Sequence, residues 1–153
     1  MPRRATALVF LDSNLIIVHR FFRRDRLYPA TRDFLARLAE LDAAIPLMTV
    51  LELCGAASFR LSAEEVERWL SAFTVVYPVR VLNPFGAGDD AASAWLGAWS
   101  DDISRYLDRR MTLGDAVLAR EADRYAADAI VTWNVKDFEG RTAVRVVAPD
   151  QWM

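Results

Sequence analysis

Four carboxylates in this sequence are placed to act together: Asp12, Glu52, Asp115 and Asp137. Asp12 closes the apolar run Ala7 to Leu11, and Glu52 follows the apolar segment Ala43 to Met48. Asp115 stands in TLGD at the head of a helical pattern, and Asp137 ends the polar stretch after Ala129 to Val131. In a parallel sheet the carboxyl ends of the strands and the amino ends of neighbouring helices share one edge, so that edge collects all four acids. Two unit charges ~4 Å apart repel by about 1 kcal/mol in water and about 4 at an effective dielectric of 20. Such a cluster spreads apart, takes up protons or binds a cation. With oxygen donors only, and no histidine or cysteine nearby, that cation is Mg²⁺ or Mn²⁺ rather than zinc. Carboxylate-held magnesium works chiefly on phosphate substrates, where it generates hydroxide from water and neutralises charge on the phosphoryl oxygens, which makes phosphodiester hydrolysis the expected reaction class.

Singly, each acid has a purely structural explanation. Asp12 would cap a helix, Glu52 and Asp115 would complete capping boxes headed by Thr49 and Thr112, and Asp137 would be a turn residue. What favours chemistry is that three of the four follow a predicted strand, while the fourth opens the helix that feeds the strand ahead of Asp137.

The elements that must position these acids alternate along the chain. Ala7 to Leu11 reads as a strand covered on both faces, then a helix begins near Ser13 and Asn14. From Thr31 to Leu41 the apolar residues Phe34, Leu35, Leu38 and Leu41 keep helical spacing. Ala43 to Met48 is a second strand, made short or placed near an edge by Pro46. A helix headed by Thr49 follows, and another whose capping box is Ser62 to Glu65, with Val66, Trp69, Leu70 and Phe73 as its buried stripe. Val79 to Leu82 is the part of VVYPVRVL able to be a strand. Asn83 to Gly88 is a loop, and Asp89 and Asp90 cap a long helix striped by Ala92, Trp95, Leu96, Trp99, Ile103, Tyr106 and Leu107. Leu118, Ala119, Ala122 and Ala126 give the helix after Thr112 a small-residue face. Ala129 to Val131 and Val144 to Val147 are the last strands, with a loop from Thr132 to Asp137 between them. The fold class is therefore α/β, a parallel sheet with helices on both faces, in one domain spanning residues 1–153.

Composition agrees. A chain of 153 residues buries roughly 70% of the surface its unfolded form exposes, without a staple. One cysteine, Cys54, excludes an intramolecular disulfide and a thiolate metal cage, which fits a reducing cytoplasm. Asp12 cuts the first apolar run far short of a signal-peptide core, and no stretch reaches the ~18 apolar residues of a membrane span. A soluble, cytoplasmic protein is expected. The net charge of −2 means that a nucleic-acid partner needs a local basic patch.

With these residues in place, the chain resembles a PIN domain, the metal-dependent ribonuclease fold of VapC-type toxins. The resemblance rests on Leu11-Asp12-Ser13-Asn14, on Glu52 within Thr49 to Leu53, on Asp115 before a small-residue helix, and on Thr132-x-Asn134-x-x-Asp137-Phe138. It covers Leu8 to Val147. It implies a three-layer α/β/α sandwich around a parallel sheet of four or five strands. It also implies that Asp12, Glu52, Asp115 and Asp137 form the catalytic set, with Asp12, Asp115 and Asp137 chief among the ligands of one or two Mg²⁺ or Mn²⁺ ions. Thr132 and Asn134 would orient a water or a carboxylate, and Ser13 and Asn14 would support the ligands from behind. The implied activity is endonucleolytic cleavage of RNA by a metal-activated water, leaving 5′-phosphate and 3′-hydroxyl ends. The implied partners are a second copy of the chain and a small antitoxin, as in a type II toxin-antitoxin pair. Trp133, Arg120 and Glu121 depart from the family pattern.

Two rivals bear on the same residues. A non-catalytic PIN-like module binding RNA or protein keeps the fold without the reaction. A phosphatase of the haloacid-dehalogenase kind, with Asp12 as nucleophile, wants an aspartate where this chain has Asn14. The segment HRFFRRDR (residues 19–26) is the densest basic stretch. Arg20, Arg23 and Arg24 are candidates to hold an RNA backbone with Phe21 or Phe22 stacking on bases, against an equal case for a solvated loop. His19 reads as a surface or capping residue, Trp95 and Trp99 as core, and Gly86-x-Gly88 as a turn.

Overall fold

Five short strands make one all-parallel sheet, in the order β3-β2-β1-β4-β5. They are β1 (Leu8–Leu11), β2 (Asp42–Pro46), β3 (Arg80–Leu82), β4 (Ala129–Val131) and β5 (Arg145–Val147). A computed structural model describes residues 6–82 and 92–152. The expected loop at Asn83 to Gly88 and the caps Asp89 and Asp90 lie outside the described residues.

Side-chain alternation in the middle strand builds two cores. Val9 and Leu11 point to one face, where Leu15 and Ile16 of α1 (Ser13–Phe21), Phe34 of α2 (Tyr28–Leu35), Leu53 of α3 (Leu47–Ser58) and Phe73 of α4 (Ala63–Val76) meet them. Phe10, with Ala44 and Ile130, points to the other face. There it meets Ile103 of α5 (Ala92–Leu107), Leu118 and Ala119 of α6 (Leu113–Arg124), and Phe138 of α7 (Val135–Phe138). The result is the expected three-layer sandwich. Among the described residues no helix is long and apolar enough to cross a membrane.

Several elements begin or end where the sequence pattern did not place them. The helix expected from Thr49 starts at Leu47, with Pro46 as its N-cap. Pro46 supplies the fixed φ and ends β2 where no further ladder hydrogen bond is required of it. Thr49 is thus inside the helix, 2% exposed, and heads no capping box. Of the two effects expected of Pro46, a short strand or an edge place, the edge place is not found: β2 ends at Pro46 after five residues and lies between β1 and β3. The periodicity of Thr31 to Leu41 breaks at Ala36, and Leu38–Glu40 forms a separate 3₁₀ turn. The polar stretch before Asp137 is not wholly loop, because Val135–Phe138 winds one helical turn. Leu70, Leu96 and Leu107 lie exposed instead of completing their stripes.

The Ser62 capping box is present in both halves. The Ser62 hydroxyl accepts from the Glu65 N–H at 3.3 Å, and Glu65 accepts from the Ser62 N–H at 2.8 Å. Ser62→Ala is expected to cost about 1 kcal/mol, a fall of about 2–4 °C in melting temperature for a chain of this size, checked by calorimetry.

Candidate active site

The register of the sheet decides where the first acid sits. Leu11 is paired with Val131, and beyond that pair the Asp12 N–H donates to the Val131 carbonyl (3.2 Å) while the Thr132 N–H donates to that of Val147 (3.0 Å). The ladder therefore runs one residue past the strands and holds Asp12 and Thr132 side by side at the carboxyl edge. Asp12 occupies the N-cap position of α1 but makes no side-chain cap bond. Its carboxylate instead accepts from Thr132 Oγ1 (2.6 Å), Asn14 Nδ2 (2.9 Å) and Ser13 Oγ (3.2 Å). The capping explanation of Asp12 thus yields to an oriented, buried carboxylate, 5% exposed.

Behind it the supporting residues form a connected network. Asn14 Nδ2 also donates to Thr132 Oγ1 (2.9 Å), and Thr132 Oγ1 accepts from the Asn134 N–H (2.9 Å). The Trp133 N–H reaches Asn14 Oδ1 at 3.4 Å. Trp133 departs from the family pattern, yet it has a structural place. Its indole N–H donates to Thr31 Oγ1 at 2.9 Å, and its ring packs against the core under α2. Asn134 contributes through its backbone, as N-cap of α7.

The other acids come from three different helices. Asp115 lies in the first turn of α6, where Thr112 Oγ1 accepts from the Asp115 N–H (3.3 Å) and donates to its carboxylate (2.8 Å). The capping role expected of Asp115 is therefore only half filled, since its carboxylate holds a hydroxyl and not a backbone N–H. Glu52 projects from α3 against Gly114. A Cβ built on Gly114 would stand 2.7 Å from Glu52 Oε1, so the glycine makes the room this carboxylate occupies. Asp137 sits exposed in the first turn of α7.

Electrostatics tie the four into one group. Burial pushes the Asp12 carboxyl up to about 6; the Thr132 hydrogen bond pulls it down, and the charges of Asp115 and Glu52 push it up further. Glu52 is raised by lost solvation and by Asp115, against a hydrogen bond from Ser13 that lowers it. Asp115 is raised by lost solvation first, then by Asp137, against its bonds to Thr112. Like charges feel one another along the series Glu52, Asp12, Asp115, Asp137, so residues more than a hundred positions apart face one space. The donor set fits a hard divalent cation, being all oxygen, like-charged and open to solvent at Asp137. Among the described residues no three acid, imidazole or thiolate groups stand close enough together to hold a metal ion as they are. An ion here would complete its shell with water and substrate oxygens, as Mg²⁺ does.

Gly114→Ala gives a test of this packing that spares the core. The clash falls on the tip of a flexible side chain, so stability should change by less than about 1 kcal/mol. If Glu52 takes part in a reaction at this edge, its rate should fall by roughly tenfold or more, because displacing a reacting group by about 1 Å costs up to 10²-fold. Paired melting and rate measurements check it; an unchanged rate would free Glu52 from any strict placement.

No protein-family model matches the chain, and no curated protein sequence matches it either. Solved structures do. The FitAcB structure from Neisseria gonorrhoeae aligns with a TM-score of 0.66 at 18% identity, covering 94% of this chain and 99% of that one. DNA-bound VapBC from Salmonella typhimurium aligns at 0.61 and 20% identity, over 94% and 98%. VapC20 of Mycobacterium tuberculosis, described as a toxin that cleaves the sarcin-ricin loop, aligns at 0.57 and 14% identity, over 86% and 90%. At these identities the likeness establishes the fold, and the fold is the PIN-like α/β/α sandwich of VapC-type toxins.

Proposed function

We propose that this chain is a Mg²⁺- or Mn²⁺-dependent endoribonuclease and the toxin of a type II toxin-antitoxin pair. The observation that carries the reading is the gathering of Asp12, Glu52, Asp115 and Asp137 at the carboxyl edge of the sheet, each acid raised by its neighbours or raising one. Asp12, Asp115 and Asp137 would hold the ion, and Glu52 stands beside them. Bound there, a divalent ion would supply hydroxide from water at neutral pH and neutralise charge building on the phosphoryl oxygens.

The protein's own part is positional. Thr132, Asn14 and Ser13 fix the Asp12 carboxylate with three hydrogen bonds, so it need not reorganise as substrate binds. The hydroxyl of Thr112 does the same for Asp115. Beside Glu52 a groove of about 290 Å³ is lined by Met48, Leu51, Leu113 and Val117. Its apolar walls suit a base or the edge of a ribose, leaving the phosphate to the acids.

Support for a small antitoxin partner comes from neighbours solved as complexes, among them VapBC from Rickettsia felis bound to promoter DNA and a toxin-antitoxin complex from Klebsiella pneumoniae. A homodimer and a cytoplasmic location belong to the same reading. The test is incubation of the purified protein with mixed cellular RNA, with Mn²⁺ or with EDTA, followed by mapping of the ends. Discrete fragments with 5′-phosphate and 3′-hydroxyl ends, formed only with Mn²⁺, are expected. Intact RNA in both arms would leave a non-catalytic binding module.

A further inference from the structure

The sequence marks Arg20, Arg23 and Arg24 as a basic run, and the fold enlarges it with residues from distant segments. Arg60, just past α3, lays its guanidinium 4.9 Å from the centre of the Phe22 ring. Arg68, on α4, lines a cavity of about 340 Å³ together with Arg20, Glu65 and Trp69. A second cavity, of about 530 Å³, is lined by residues 20–25. Phe21 is the anchor between them, edge-on to Trp69 with ring centroids 6.2 Å apart. Phe22 is 39% and Phe59 91% exposed.

Charge on this face is only partly offset, by Asp25 and by Glu65, whose carboxylate feels Arg68 and Arg20. Among the described residues the ion pairs involve other arginines, and none of the five makes one. The two carboxylates within the cavities are held by backbone donors and not by close ion pairs, leaving five positive charges against two negative ones there. Asp25 accepts from the Leu27 N–H (2.8 Å), and Glu65 accepts from the Ser62 N–H (2.8 Å). A chain of net charge −2 that leaves five guanidinium groups on one face without a close ion pair, with the exposed Phe22 ring among them, suits a polyanion with flat groups.

Its position sets its role. Asp12 stands at the amino end of α1 and Arg20 near the carboxyl end, about 12 Å away along the axis at 1.5 Å per residue. At about 3.4 Å per nucleotide of a stacked strand, that is roughly three to four nucleotides. The basic face is therefore outside the acidic site, within reach of the same strand. We propose that Arg20, Arg23, Arg24, Arg60 and Arg68 form a second contact for single-stranded RNA. Their guanidinium groups hold phosphates and Phe22 stacks on a base some nucleotides from the cut. The inference takes RNA as the polyanion from the function proposed above, and needs no cleavage.

The experiment is fluorescence anisotropy with a labelled oligouridine of ~20 nucleotides in EDTA, where hydrolysis is suppressed, across 50 to 200 mM salt. The variants are Arg23→Ala with Arg24→Ala, Phe22→Ala, and Arg32→Ala as a control whose guanidinium is already paired with Asp33. All lie on the surface, so folding is not at stake. The double variant should bind roughly tenfold more weakly, with a salt slope shallower by about 1.4, since each neutralised phosphate of a single strand contributes about 0.7. Phe22→Ala should weaken binding by about tenfold at every salt concentration, and Arg32→Ala should bind as the wild type does. Equal affinity and slope in wild type and double variant would overturn the proposal, as would binding of an acidic peptide with no binding of the oligouridine. Arginine-dependent RNA binding in a protein that cuts no RNA would sustain this contact while removing the nuclease.

Discussion

Asp12→Asn is expected to abolish RNA cleavage and to leave the metal-free protein more stable at neutral pH. Losing a residue that merely orients a metal ligand costs 10–100-fold, so losing the ligand itself should cost at least about a hundredfold. The stability change has the opposite sign. The folded carboxyl is raised from 3.8 to about 6, so the native state holds its proton more tightly than the unfolded chain does. Stability from this group is full below about pH 4 and is lost as pH rises through about 6. Above pH 7 the buried charge costs about 3 kcal/mol, at 1.36 kcal/mol per unit.

Asparagine relieves that cost and keeps the network. Its amide oxygen can accept from Thr132 and Asn14, and its nitrogen can donate to the Ser13 hydroxyl. The metal-free variant should melt up to about 12 °C above wild type at pH 7.5, and the difference should vanish towards pH 4. Full activity in this variant, or a melting temperature well below wild type, would remove Asp12 from the place assigned to it.

The second large effect lies outside the site. Arg120 and Glu121, on α6, are 9% and 3% exposed and bonded to each other. Arg120 also reaches Asp102 of α5 at 3.0 Å through Nε and through Nη2. Among the described residues the other oxygen of Glu121 has no hydrogen-bond partner, and Arg124 lies 3.8 Å from it. Arg120→Met should therefore cost about 3–5 kcal/mol, because a buried carboxylate loses its counter-charge, and lower the melting temperature by about 10 °C. Adding Glu121→Gln should recover most of that loss, as it removes the stranded charge. A single variant that melts within about 2 °C of wild type would mean that water already reaches the pair.

Much of this architecture is written locally in the sequence, and the rest arises from pairings between distant segments. Ala129 to Val131 announces itself because a short β-branched run ends abruptly in polar residues, and its bounds agree with β4. The Ser62 box is readable because serine, glutamate and a helical stripe agree. The same four-residue pattern at Thr49 misled, since it also arises inside a helix, and Pro46 had already opened that helix. Strand order is a property of tertiary pairing, so nothing local placed β2 inside the sheet. The bonds that turn Asp12 from a cap into a buried, oriented carboxylate join residues up to 120 positions apart. Neither the room made by Gly114 for Glu52 nor the addition of Arg60 and Arg68 to the basic run could be read from sequence neighbours. Arg120 and Glu121, which break a small-residue helix, become intelligible once Asp102 is seen across from them.

The central claim is that Asp12, Asp115 and Asp137, with Glu52 beside them, form a site for a divalent ion, and titration of Mn²⁺ into the metal-free wild type, with melting temperature as readout, addresses it most directly. At about 100 times its dissociation constant the ion should stabilise the fold by about 2.7 kcal/mol, a rise of roughly 5–10 °C, and Asp115→Asn should lose most of that rise. A wild type whose melting temperature is indifferent to Mn²⁺, or a rise that survives in Asp115→Asn, would contradict it.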